Sequence, residues 1–292
     1  MRISTPYQFA TYQRDISSTQ ERYFDLQRQV ATGKRFLVPS EDPLGAAKSV
    51  SLRNLRSSVS QYKDNVESGK KTLQFTENAL SEVSDIVKKA YEFAVRGANS
   101  STDQTGRDGM VRELETLMGR LIDLGNSQGA DGEYIFAGQD NATRPFTLGP
   151  TGLTFNGDNN AVVVESGPNE TIQVNIQGGT LFAQVHGALT NLAKSLTGGD
   201  IPSLSGVDIP ALQSAREFVN LERGTVGARL NQIEQVVDHH DRRLDAFSEQ
   251  ISELEEVDIT EAVVQLRQAE TAYNASLQVA AQGFRLSLMD FL

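Results

Sequence analysis

Between Leu52 and Ala94, apolar or small residues recur at intervals of three and four without a break. The row reads Leu52, Leu55, Val59, Tyr62, Val66, Gly69, Leu73, Thr76, Leu80, Val83, Val87, Ala90 and Ala94. A row with this period stays on one side of an α-helix and faces one partner along its length. A helix so long cannot cover its own stripe, so other helices must run beside it. An apolar fraction of 38% and an aromatic fraction of 7% suit narrow stripes on long helices better than a large globular core.

The same rhythm appears on both sides of this helix. Phe9, Tyr12, Ile16, Thr19, Tyr23, Leu26 and Val30 mark a first helix, which breaks at Thr32-Gly33-Lys34-Arg35. Pro39-Ser40-Glu41-Asp42-Pro43 cannot be helix interior. Met110, Leu114, Leu117, Leu121 and Leu124 predict a third helix after the polar stretch at Asn99–Asp103. From about Gly132 to Gly179 the period changes to two. Ile172, Val174 and Ile176 alternate with polar residues, Ala161-Val162-Val163-Val164 is largely β-branched, and Asn156-Gly157 reads as a hairpin turn. Helix resumes near Leu181, and the segments Gly198–Pro202 and Gly206–Pro210 read as a linker.

A helix from about Ala211 to Val257 carries the seam Val226, Leu230, Ile233, Val237, His240, Leu244, Phe247, Ile251 and Leu254. At about 1.5 Å per residue it spans roughly 70 Å. Asp258 and Glu261 form a capping-box pattern for a last helix. That helix carries Ala262, Leu266, Ala269, Tyr273, Leu277, Ala280, Phe284 and Leu288 and leads to Phe291-Leu292. The fold class expected is therefore mainly α, an elongated multi-helix coiled-coil rod formed by the N- and C-terminal segments with a small β insertion in the middle. The division expected is a terminal helical domain at 1–45 and 258–292, a helical rod at 46–140 and 182–257, and a β-rich insertion at 141–181.

The 292 residues allow about two domains. The absence of Cys excludes disulfides and thiolate metal sites, and is compatible with an oxidising exterior. A net charge of −11 argues against nucleic-acid binding. No run of about 18 apolar residues exists to span a membrane. The start, Met1 to Tyr7, lacks the apolar core of a cleaved secretory signal. Charge is segregated along the chain. Residues 1–71 hold twelve Lys and Arg against seven Asp and Glu, whereas no base interrupts Asp245, Glu249, Glu253, Glu255, Glu256, Asp258 and Glu261. This favours the two ends lying side by side, within or between subunits; solvated helix faces are the plain alternative.

Chemistry is hard to find. No phosphate loop, dinucleotide fingerprint or nucleophile elbow is present. His239 and His240, beside Asp238 and Asp241, are adjacent and point about 100° apart, where a helical metal pair needs i, i+4 spacing. His240 falls on the seam, which suits a packed, hydrogen-bonded imidazole. The reading is a structural chain without enzymatic activity, cofactor or metal. Its assembly interface is expected at Phe9, Tyr12, Ile16, Tyr23, Leu26, Tyr273, Leu277, Phe284, Leu288, Phe291 and Leu292. Two apolar end helices need partners, and self-assembly supplies them.

Gln29-Val30-Ala31-Thr32-Gly33-Lys34-Arg35 followed by Pro39-Ser40-Glu41-Asp42-Pro43-Leu44-Gly45-Ala46-Ala47 resembles the N-terminal signature of the flagellin family. Gly132-Glu133-Tyr134-Ile135-Phe136-Ala137-Gly138, with Pro145-Phe146, is similar to the hook–filament junction branch of that family, as are Ala272–Ala281 and the ending Ser287–Leu292. The resemblance implies an extracellular flagellar component, exported by the type III apparatus without a cleaved signal peptide and held beforehand by an export chaperone. It implies a ring of copies between the first hook-associated protein and flagellin, with terminal helices that order on assembly. A short flagellin and a soluble coiled-coil scaffold are the rival readings.

Overall fold

The computed structural model describes residues 5–149 and 152–289, the side chains of 5, 6, 8 and 283–289 excepted. Its elements follow the expected order. They are α1 (Thr5–Thr32), α2 (Pro43–Gly97), α3 (Gln104–Gly125), β1 (Phe146–Gly149), β2 (Gly152–Phe155), β3 (Val163–Gly167), β4 (Glu170–Gln173), α4 (Gly178–Gly198), α5 (Ile201–Ser203), a π-helical turn (Leu204–Asp208), α6 (Ile209–Glu255) and α7 (Ile259–Met289). Two compact units are distinct, residues 59–242 and residues 1–58 with 243–292. The division falls inside α2 and α6, where the heptad pattern gives no mark.

The unit of residues 59–242 contains the main core. Val66, Leu73, Leu80, Val83, Val87, Ala90 and Ala94 are buried as the seam requires, together with Val219, Val226 and Ile233 of α6. The ion pairs Lys63–Asp241 (2.6 Å), Lys70–Glu234 (2.9 Å) and Glu77–Arg223 (2.6 Å) step seven residues at a time along α2 while descending α6. The two helices are thus antiparallel, and the charge segregation in sequence is partly consumed within the subunit. Such exposed pairs contribute about 0–1 kcal/mol each, so they set register more than stability. A second buried row on α2, Ala79, Ile86 and Phe93, widens the stripe beyond its heptad width. There α2 also faces α3, with Glu82–Arg120 at 2.7 Å and Lys89–Glu113 at 3.0 Å. Leu80→Ala is expected to cost about 2–5 kcal/mol, because the side chain is fully buried. Chemical denaturation measures it, and an unchanged midpoint would contradict the packing. Leu244 and Phe247, expected in the core, are only half-buried, so Phe247→Ala should cost less.

The β insertion is two separate antiparallel hairpins, β1–β2 and β3–β4. Asn156-Gly157 is not a hairpin turn. It follows β2, and Gly157 packs against Ala137, where a Cβ would lie 2.6 Å from the carbonyl oxygen. The second hairpin turns at Pro168-Asn169, with Asn169 at φ 62°. The alternation in β4 and beyond is imperfect because Asn175 is buried too. Its amide accepts from Val162 N–H (2.9 Å) and donates to Asn160 O (2.8 Å), which satisfies it. Gly69 sits on the α2 seam because β3–β4 crosses there; a Cβ would meet Val174 Cγ1 at 2.6 Å. The imidazole of His240 is buried, its Nε2–H donating to Ser166 O (2.9 Å) at the irregular step of β3. The segment around Gly132–Gly138 is a core element: Ile135, Phe136 and Ala137 are buried, and Phe136 meets Phe182 edge-on at 4.9 Å.

The expected linker is half correct. Gly199, at φ 63°, ends α4, and Asp200 then caps the next helix through Ser203 N–H. Gly206–Pro210, however, is helical. Pro210 has no N–H to give, and an α-helix would press its ring on the carbonyl four residues earlier. The chain widens into a π turn instead, with Ile209 N–H donating to Leu204 O.

Candidate assembly site

In the unit formed by the two ends, α1 and α7 pair with each other. Tyr23 stacks on Tyr273 (centroids 6.0 Å apart, planes 9° apart) and Thr19 Oγ1 meets Ser276 Oγ at 3.1 Å, so the helices are antiparallel. Leu26, Ala262, Ala269 and Ala280 are buried along this contact. The small residues of α7 let the helices approach, and Tyr12, Ile16, Tyr23 and Tyr273 are half-buried at its margins. The end helices therefore supply each other with part of the cover that the sequence assigned to neighbours.

The cover is incomplete. Of the expected interface residues, Phe9 is 52% exposed and Leu277 40%; Phe284, Leu288, Phe291 and Leu292 lie outside the described side chains. Phe24, Val264 and Val279 are exposed as well and were not anticipated from sequence. Phe24 sits one residue off the α1 seam, and an aromatic on an otherwise polar face was the available signal. Leu37, Val38, Leu44 and Val50, in and after the α1–α2 connection, are exposed too. Leu55 belongs to the α2 seam yet remains exposed.

The family-like signature builds a rigid joint. Gly33 adopts φ 70°, which a side chain would disfavour, and its N–H closes α1 on Gln29 O (2.8 Å). Asp42 caps α2 through Gly45 N–H (2.9 Å) and pairs with Arg35 (3.2 Å). Glu41 accepts from Leu37 N–H (2.9 Å) and pairs with Arg28 (2.9 Å). This joint is tied to the α6–α7 break by two main-chain bonds, Arg35 N–H to Glu255 O (2.6 Å) and Val257 N–H to Gly33 O (3.0 Å). Asp258 then opens α7, accepting from Thr260 N–H (2.8 Å) and Glu261 N–H (3.2 Å).

Glu255 closes the joint. Its buried carboxylate accepts from Ser49 Oγ and from Arg53 Nε (3.1 Å) and Nη2 (2.7 and 2.6 Å), with Lys34 Nζ 3.7 Å away. Burial pushes its pKa up, but the bonds from Ser49 and Arg53 and the charges of Arg53 and Lys34 outweigh that and hold it below the ordinary carboxylate value. Stability from this group is present above the ordinary pKa and is lost only as pH falls through the depressed one.

Among the described residues, no three His, Asp or Glu side chains gather as a metal ion would need, and no helix is long and apolar enough to cross a membrane. What the unit offers chemically is apolar helix faces on a braced joint.

Comparison with known proteins places this geometry. Residues 3–141 match the bacterial flagellin N-terminal helical region and residues 209–292 the bacterial flagellin C-terminal helical region. Flagellar hook-associated protein 3 of Salmonella typhimurium is 26% identical over 243 residues, covering 79% of this chain and 73% of the relative. Flagellar hook-associated protein 3 of Escherichia coli is 30% identical over 147 residues, half of this chain and 46% of the relative. The crystal structure of Bacillus cereus FlgL shares the fold, with a TM-score of 0.60 at 20% identity over 69% of this chain and 99% of that one.

Proposed function

Because the chain belongs to the flagellin family at both its ends, we propose that it is a structural subunit of the bacterial flagellum that joins hook to filament. The observation that carries this is its likeness to proteins named flagellar hook-associated protein 3, along most of its length for one and half of it for the other. The protein is structural and not an enzyme. Copies form a ring, bounded by the first hook-associated protein on one side and flagellin on the other. Residues 1–45 and 258–292 act as the assembly element, and the faces of α1 and α7 left bare in the isolated chain take their cover from neighbouring copies. Residues 46–140 and 182–257 are the rod, and 141–181 face outward. Export runs through the type III apparatus without a cleaved signal, and an export chaperone shields the apolar ends until then, since bare apolar helix faces associate prematurely.

A short flagellin is the second reading, favoured by the shared N-terminal signature. The Gly132–Gly138 segment and the Ser287–Leu292 ending weigh against it. Deleting the gene separates the two. Intact hooks with unpolymerised flagellin in the medium are expected. Hooks with no flagellin outside the cell would mean that this chain is itself the filament protein, and normal filaments would remove both readings.

A further inference from the structure

The bonds around Glu255 draw together three separate stretches of chain. Lys34 belongs to the connection after α1, Ser49 and Arg53 to the first turns of α2, and Glu255 to the last turn of α6. The two main-chain bonds between Gly33–Arg35 and Glu255–Val257 make the breaks before and after the long helices a single short antiparallel bridge. Along the covalent chain, both exits from the terminal pair α1–α7 pass through this bridge. Among the described residues, the side-chain bonds that cross it converge on one carboxylate.

Two features make that carboxylate hard to replace. It is the shared acceptor of a hydroxyl, a guanidinium and an ammonium, so its loss leaves Ser49 buried without an acceptor and two cations facing each other. Its neighbours in the acidic run are solvent-exposed: Glu253 and Glu256 flank it, and Glu256 bonds Ser252 one turn back. The geometry points to Glu255 as a positioning residue for assembly, one that fixes the direction in which α1 and α7 leave α2 and α6. This rests on the assembly reading above. A preset exit angle lowers the ordering cost when a bare helix face meets its neighbour in a ring, because less conformational freedom remains to be lost.

The test uses the full chain. Glu255→Gln keeps the shape and removes the charge; Glu255→Arg with Arg53→Glu restores an ion pair in reverse. With the purified protein, limited proteolysis of residues 33–42 and 255–258 reports the clasp, and the melting of the 59–242 unit is the folding control. Loss of a charged hydrogen-bond network should raise clasp opening on the order of tenfold or more. Glu255→Gln is therefore expected to be cut about tenfold faster there with an unchanged core transition, and the swapped pair to recover at least part of the protection. In cells lacking the chromosomal gene, Glu255→Gln should be exported normally yet give few filamented hooks, and the swap should raise that number. Unchanged cleavage of Glu255→Gln overturns the clasp. Faster cleavage with normal filament numbers overturns its role in assembly. A swap that restores neither readout overturns the pairing as the cause. The cleavage arm does not depend on the chain being a flagellar subunit, so a failed clasp and a failed assembly reading give different results.

Discussion

Cells making only a chain that lacks Phe284 to Leu292 are expected to carry bare hooks and to release flagellin into the medium. These residues place two Phe and two Leu (284, 288, 291 and 292) at spacings that share one side of a helix. Burying them contributes on the order of 6–12 kcal/mol before entropy costs, and ordering that stretch of chain consumes much of it. On the proposed assembly reading, the balance turns favourable only against neighbours. The core of residues 59–242 contains none of them, so the truncated chain should keep its main thermal transition. Electron microscopy of hooks, with immunoblots of the medium, measures the outcome. Export must be checked in the same cells, because losing a chaperone contact at this end would give the same bare hooks by another route. Filaments of normal length and number would show that the last helix is not the assembly element.

The second large effect is expected in the core. Phe182 is fully buried on α4, with Phe136 and Phe146 each 4.9 Å from it, centroid to centroid. Phe182→Ala should cost about 3–5 kcal/mol, since three elements meet on the ring and none can collapse into the space alone. Phe75→Ala, on an exposed face of α2, is the control and should stay within about 0.5 kcal/mol. Denaturant unfolding of both variants decides it; equal midpoints would mean the aromatic cluster is not the keystone of the hairpin packing.

The long helices were legible because a seam of threes and fours admits one local geometry. Every residue of the α2 row from Val66 to Ala94 is buried. Tertiary contacts that cross the heptad were not legible. The buried row Ala79, Ile86 and Phe93 reflects α3 lying beside α2, and Leu55 is exposed although Leu52 and Val59 on either side of it along the seam are buried. Short strands hid their turns: Asn156-Gly157 has hairpin chemistry but serves a close approach to Ala137. The joint was half legible. The Thr32–Ala47 signature marked two breaks, whereas Glu255 looked like one more member of an acidic run. Nothing local distinguishes it from Glu253 or Glu256; its burial depends on Ser49 and Arg53, some two hundred residues earlier.

The π turn at Leu204–Asp208 has a consequence for how this helix tolerates changes of length. From Leu212 onward, buried residues step by three or four through Ala215 and Val219. Going backward, they step by fours, to Asp208 and Leu204. Two fours in succession carry an ideal α-helix about 80° off its stripe, and the extra residue of a π turn rotates it back. The widened turn acts as a phase shim, absorbing one surplus residue so that Leu204 and Leu212 face the same way. Removing Gly206 together with Pro210→Ala should then convert the turn to plain α-helix with Leu204 still inward, whereas the same deletion one turn further along α6 would swing the preceding side chains by about 100°. Single-residue length changes in this helix have one address at which the packing can accept them.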